Sequence, residues 1–227
     1  MTSGPTFELY GIAHLVVLVA TLALALLAGR AAERDDVGGL ARMMAWLLLC
    51  AAALKPILYV SIYGQPLAQS LPLDLCRINE FLCAFMLLAR AYRVFEIAYF
   101  LAMAGSTSAL LMPDLLHGFP DPRFVTFFFS HGLSVIAVLY AVLAFGFRPT
   151  LGSVGRVMVF LALYAAAIAA INLLIGSNYL FLCRKPEGAS LLDFLGPWPV
   201  YVVAMFAIAI AACFLCYLPF AFRRKQI

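Results

Sequence analysis

Charge is what this chain has least of. Asp, Glu, Lys and Arg supply 11% of its 227 residues, while hydrophobic types supply 66%. A soluble domain carries about a quarter of its residues charged, so this composition excludes a soluble globule. Other absences narrow the class further. The opening MTSGPTFELY holds no Lys or Arg. The basic start of a cleaved signal peptide is missing, and Leu9–Ala28 is expected to be a retained helix. No internal repeat and no pair of broken spans of the usual transporter kind is visible. The last apolar run holds no Lys for a Schiff base, which excludes a retinal protein. Cys213 and Cys216 have CxxC spacing without a second pair, so they read as packing residues, as do Cys50 and Cys83. No metal set and no cofactor is read from the sequence. Cys183 lies in a connection, where a disulfide is left open.

What is present is a series of seven apolar runs. They span Leu9–Ala28, Leu40–Tyr63, Leu73–Ala89, Tyr92–Met112, Phe124–Phe145, Val157–Gly176 and Gly196–Phe220. A helix needs about 20 residues to cross the hydrocarbon core. The expected fold is therefore all-α, a polytopic bundle of seven transmembrane helices forming a single domain over 1–227. The first, third and fifth connections and the C-terminal tail hold Arg30, Arg34, Arg42, Arg90, Arg93, Arg148, Arg156, Arg223, Arg224 and Lys225. The other side holds Arg123, Arg184 and Lys185. Ten against three predicts the N-terminus outside and the C-terminus in the cytoplasm. The net charge of +4 belongs to these flanks, and no nucleic-acid partner is implied. Connections are expected around Glu33–Gly39, Gly64–Pro72 and Pro113–Pro122, with the longest from Ser177 to Leu195. Tyr179, Trp198 and Tyr201 are expected in an aromatic belt. The small residues Gly105, Ser106, Thr107 and Ser108 suit close helix packing.

Ionisable groups at membrane depth are costly and usually face the bundle interior or a water-filled cavity. Here they are His14, Lys55, Asp74, Arg77, Glu80, Glu96 and His131. The topology puts His14, Lys55, Asp74, Cys76, Arg77 and His131 in the outer half. Glu80 falls near mid-depth and Glu96 near the cytoplasmic end. A polar pocket open to the outer leaflet accounts for that layer. In the third run, Pro72 suits the first helical position and Asp74 the first turn. Cys76 follows, where the helix dipole favours an anion. Arg77 stands three residues from both Asp74 and Glu80, which predicts an intrahelical chain of ion pairs. Gly132 is expected to open space beside His131.

LPLDLC at Leu71–Cys76, the SHG element at Ser130–Gly132 and the loop NYLFLCRKPEGASLLDFLGPWP carry a resemblance over most of the chain. They resemble the YwaF-type bacterial membrane proteins, which are similar to the eukaryotic transmembrane protein 164 family. The bacterial element commonly reads LPLHLC, so Asp74 stands here in place of a His. The resemblance implies a phospholipid acyltransferase with a membrane-embedded Cys nucleophile and a His partner, carried over to Cys76 and His131. The expected function is an acyltransferase or lipid hydrolase facing the outer leaflet of the cell membrane, with membrane phospholipids as partners. Lys55 or Arg77 would hold the lipid phosphate. Asn178 or loop amides would hold the oxyanion. Transferase against hydrolase, the acyl donor and acceptor, and a homo-oligomer stay open. The alternative is a small-solute or proton-coupled transporter or channel, its path lined by Lys55, Asp74, Arg77, Glu80 and Glu96.

Overall fold

The computed structural model describes residues 5–32, 37–186 and 191–222. Most of the Glu33–Gly39 connection lies outside these residues, as do Arg34, Arg223, Arg224, Lys225 and residues 187–190 of the loop signature. Helices α1 (Ile12–Ala32), α2 (Val37–Ser61), α3 (Leu67–Ser70) and α4 (Leu75–Ala89) come first. Next, α5 (Tyr92–Phe100) runs through a π-helical stretch, Leu101–Ser106, into α6 (Thr107–Leu111) as one pass. Then follow α7 (Pro122–Ala144), α8 (Leu151–Ile175) and α9 (Val200–Ala221). Among the described residues the extended pairing consists of one antiparallel bridge, Thr6 to His117.

Six of these passes are long and apolar enough to cross a membrane: α1, α2, α5 through α6, α7, α8 and α9. The chain is a multi-pass membrane protein. The third apolar run is the exception, because α4 has 15 residues. At 1.5 Å per residue it spans about 22 Å, short of a core about 30 Å thick. Pro72 does not open this helix, contrary to the sequence expectation. Leu71 precedes a proline and is extended, at φ −61° and ψ 149°. The helix starts at Leu75, with Asp74 as its N-cap residue. The extended stretch is still deep in the bundle: Tyr164, mid-way along α8, donates to the Leu73 carbonyl at 2.9 Å.

α7 is the central helix, buried without a break from Ser130 to Val138. It packs against α1, α2 and α4. A Cβ on Gly132 would sit 3.0 Å from Thr21 Oγ1. The missing side chain is thus filled by α1 and opens no space beside His131. The outward faces of α1, α8 and α9 carry exposed Leu22, Leu163, Leu173, Val203 and Leu215, as lipid-facing helices do.

The N-terminal segment and two connections meet at one end. Phe7 N–H donates to the Leu116 carbonyl at 3.1 Å, and Tyr63 OH to Asp121 Oδ1 at 3.2 Å. At the other end Glu96 is fully buried and accepts from Ser153 Oγ at 2.5 Å, from Arg93 at 3.3 Å and from Arg156. The Ser177–Leu195 connection forms two short 3₁₀ pieces, Tyr179–Phe181 and Leu191–Leu195. The aromatic belt reduces here to Trp198, which is exposed, whereas Tyr179 and Tyr201 are buried. Tyr201 OH donates to the Phe181 carbonyl at 2.6 Å, which ties α9 to the loop.

Candidate functional site

Cys76 is the second residue of α4 and is half-buried. It forms part of the wall of an open cavity of about 700 Å³ between α4, α8, α9 and the 176–184 loop. The wall is largely apolar, through residues such as Leu75, Leu161, Phe181, Met205 and Phe206. Its polar members include Gln69, Asp74, Asn178 and Arg184. A volume of this size suits an apolar chain bearing a few polar groups. The extended approach from Leu71 to Asp74 is what sets Cys76 at a helix start inside the bundle.

Behind Cys76 lies an ionic tie between three helices. Lys55 of α2 donates to Glu80 Oε1 of α4 and, at 2.5 Å, to Ser130 Oγ of α7. All three residues are buried. Glu80 is one turn from Cys76, and Ser130 adjoins His131, so the tie fixes the helices that carry both. His131 Nδ1 is 2.7 Å from the Phe127 carbonyl. A carbonyl accepts only, so Nδ1 carries the proton. In the neutral ring Nε2 then keeps its lone pair. Among the described residues no hydrogen bond joins His131 to Cys76, and His131 is not in the cavity wall.

The other expected site residues are distributed as follows. Arg77 does not pair with Glu80. Its Nε lies 3.5 Å from Asp74, its Nη1 donates to the Ser70 carbonyl at 2.7 Å, and its guanidinium stands over Tyr59. Helical side chains lean toward the N-terminus, so Arg77 reaches back while Lys55 takes Glu80. The charges of Lys55 and Arg77 are therefore engaged, and the basic residue in the cavity wall is Arg184. His14 sits apart among Phe7, Tyr10 and Phe128. Its Nδ1 accepts from Tyr10 N–H at 3.0 Å and its Nε2 donates to the Leu110 carbonyl at 2.8 Å. Both nitrogens are used, which makes it a clasp between α1 and the end of α6. Asn178 folds its own loop: Oδ1 accepts from Cys183 and Arg184 N–H, and Nδ2 donates to the Arg184 carbonyl. All six cysteines are free thiols, Cys183 included.

Three polar residues escaped the sequence reading. Ser130 was visible only as part of SHG, and Arg184 only as a loop charge. Asn79 is completely buried, and neither of its amide atoms has a protein partner. Asn79 is uncharged and adjoins Glu80, so in an apolar run it is overshadowed by the ionisable residues around it. No curated protein and no solved structure matches the chain. The TMEM164 family matches residues 6–217, which take in every helix from α1 to α8 and most of α9. With Cys76, the Lys55 tie and His131 all inside that match, the chain belongs to the TMEM164 family.

Proposed function

We propose that this protein is an integral-membrane acyltransferase or lipid hydrolase that works on glycerophospholipid acyl chains, with Cys76 as nucleophile and His131 as base. The whole chain is one unit that crosses the cell membrane seven times, the extended stretch from Leu71 to Asp74 making up the length that α4 lacks, with its N-terminus outside, so that the cavity opens to the outer leaflet. The observation that carries it is Cys76 at the start of α4, in the wall of an apolar cavity of about 700 Å³. An acyl chain lies in that cavity between α8 and α9, and Arg184 receives the lipid phosphate at its rim.

The thiol proton passes to His131 Nε2, and the sulfur attacks the ester carbonyl carbon. The lysophospholipid oxygen leaves with the proton from His131, and Cys76 holds the acyl group as a thioester. An acceptor hydroxyl or water then gives its proton to His131 and bonds to the thioester carbonyl carbon; the C–S bond breaks and the Cys76 sulfur takes the proton back from His131. The free Nε2 lone pair supports this role. Cys76 and His131 share no hydrogen bond among the described residues, so the mechanism requires the pair to close when substrate is bound, as catalytic hydrogen bonds often do. Lys55 and Glu80 are positioning residues, because they hold α2, α4 and α7 in register.

In reconstituted vesicles, Cys76→Ser abolishes acyl transfer from a labelled phospholipid and removes the thioester seen by mass spectrometry. His131→Ala does the same, and the double variant is little worse than either. Full activity in Cys76→Ser would overturn the nucleophile assignment. It would favour the transport reading, in which the buried charges line a path.

A further inference from the structure

Acyl transfer through Cys76 passes through a tetrahedral oxyanion, which needs hydrogen-bond donors fixed in place before reaction. Asn178, the loop residue expected to serve, has committed its amide to the fold of its own loop, with one Nδ2 hydrogen on the Arg184 carbonyl and Oδ1 on the Cys183 and Arg184 N–H groups. Asn79 has not. It is 0% exposed, and neither Nδ2 nor Oδ1 meets a protein partner. A buried amide left this way costs about 1–3 kcal/mol, so a native bundle keeps one only where something else uses it. Leu75 and Cys76 line the cavity. Asn79 follows them by four and three residues, so it shares their face of α4, one turn deeper. Asn79 is not itself in the cavity wall, but helical side chains lean toward the N-terminus, which directs its amide back toward the turn that holds Cys76. A second donor is already there. The first donor to close an α4 turn is Arg77 N–H, to the Asp74 carbonyl at 3.0 Å. The Cys76 N–H comes before it and belongs to the unpaired first turn.

We propose that the Asn79 side-chain amide and the Cys76 backbone N–H form the oxyanion hole of this site. This rests on Cys76 being the nucleophile. As the sulfur bonds to the ester carbonyl carbon, the carbonyl π pair moves to oxygen and the thiol proton goes to His131 Nε2. The two N–H donors hold that oxygen until the C–O bond breaks and the lysophospholipid oxygen leaves with the proton. Asn79 Nδ2 thus gains its partner in the transition state.

The test compares two reactions at the same sulfur in the full-length protein. One is single-turnover acylation of Cys76 from phosphatidylcholine vesicles with a fluorescent acyl chain. The other is alkylation of Cys76 by an N-alkyl iodoacetamide, which displaces iodide and forms no oxyanion. Asn79→Leu is expected to slow acylation by about 10²–10³-fold while alkylation keeps its wild-type rate. Asn79→Gln, which keeps the donor, recovers part of the acylation and serves if the Leu variant does not fold. Acylation of Asn79→Leu at the wild-type rate, or equal losses in both reactions, overturns the Asn79 assignment and leaves the nucleophile standing. A wild-type protein that never carries an acyl group on Cys76 overturns both.

Discussion

Lys55 and Glu80 face each other with side-chain exposures of 7% and 1%, and Glu80 Oε2 has no further protein partner. Attraction across such a pair does little more than offset desolvation, but removing one member strands the other charge. Lys55→Met is therefore expected to destabilise the fold by about 3–5 kcal/mol. Lys55→Met combined with Glu80→Leu should recover most of that loss. Thermal or denaturant unfolding in detergent reads both, and equal losses in single and double variants would contradict the pairing. Depth alone picked these two residues out of the sequence, because ionisable groups in apolar runs are conspicuous. It did not tell which charge meets which. The i,i+3 rule favoured Arg77 for Glu80, yet a lysine 25 residues away on another helix took the carboxylate.

Helix starts decide the element scale. α7 opens with Asp121 as N-cap and Pro122 at its first position. The Asp121 carboxylate accepts from Arg123 N–H at 2.8 Å, from Arg123 Nε at 3.0 Å and Nη2 at 2.8 Å, and from Tyr63 OH. The Arg123 guanidinium holds the Asp121 carboxyl well below the usual carboxylate range, while burial opposes it more weakly. A carboxyl depressed in the folded state stabilises fully above its unfolded value near about 3.9, and that contribution fades as pH falls below it. Asp121→Ala should cost about 1 kcal/mol at neutral pH. The gap to wild type should stay flat from neutral pH down to about 5 and narrow below about 4. A gap that widens on acidification would contradict the assigned partner. The start of α7 was nearly legible, since Asp-Pro ahead of an apolar run is a helix-opening signal. The start of α4 was not: Leu73–Ala89 reads as one continuous run, whereas the backbone stays extended at Asp74, with the Leu73 carbonyl held by Tyr164, and turns helical only at Leu75.

At the scale of the whole molecule, the ten-to-three division of Arg and Lys predicts one orientation. A fluorescent protein fused after Ile227 should light up in the cytoplasm, and a periplasmic or extracellular reporter there should stay silent. The reverse pattern would remove the outer-leaflet placement of the cavity while leaving its chemistry intact. The contact between Phe7 and Leu116, with the Tyr63–Asp121 bond, gathers the N-terminal segment and two even-numbered connections at one end.

Composition and hydropathy by themselves determined that the chain is helical, crosses the membrane several times and keeps its ionisable groups inside. These follow from one cost, that of leaving polar atoms in hydrocarbon, which each residue incurs wherever it lies in the sequence. The tertiary structure alone decided the partners. It separated His14 into an aromatic clasp and locked Lys55 onto Glu80 and Ser130. It also closed Asn178 on its own loop and left Asn79 buried without a partner. The physical reason is geometric: depth along a span is read from sequence position. The direction in which a side chain points depends on where each helix begins and which neighbour it meets.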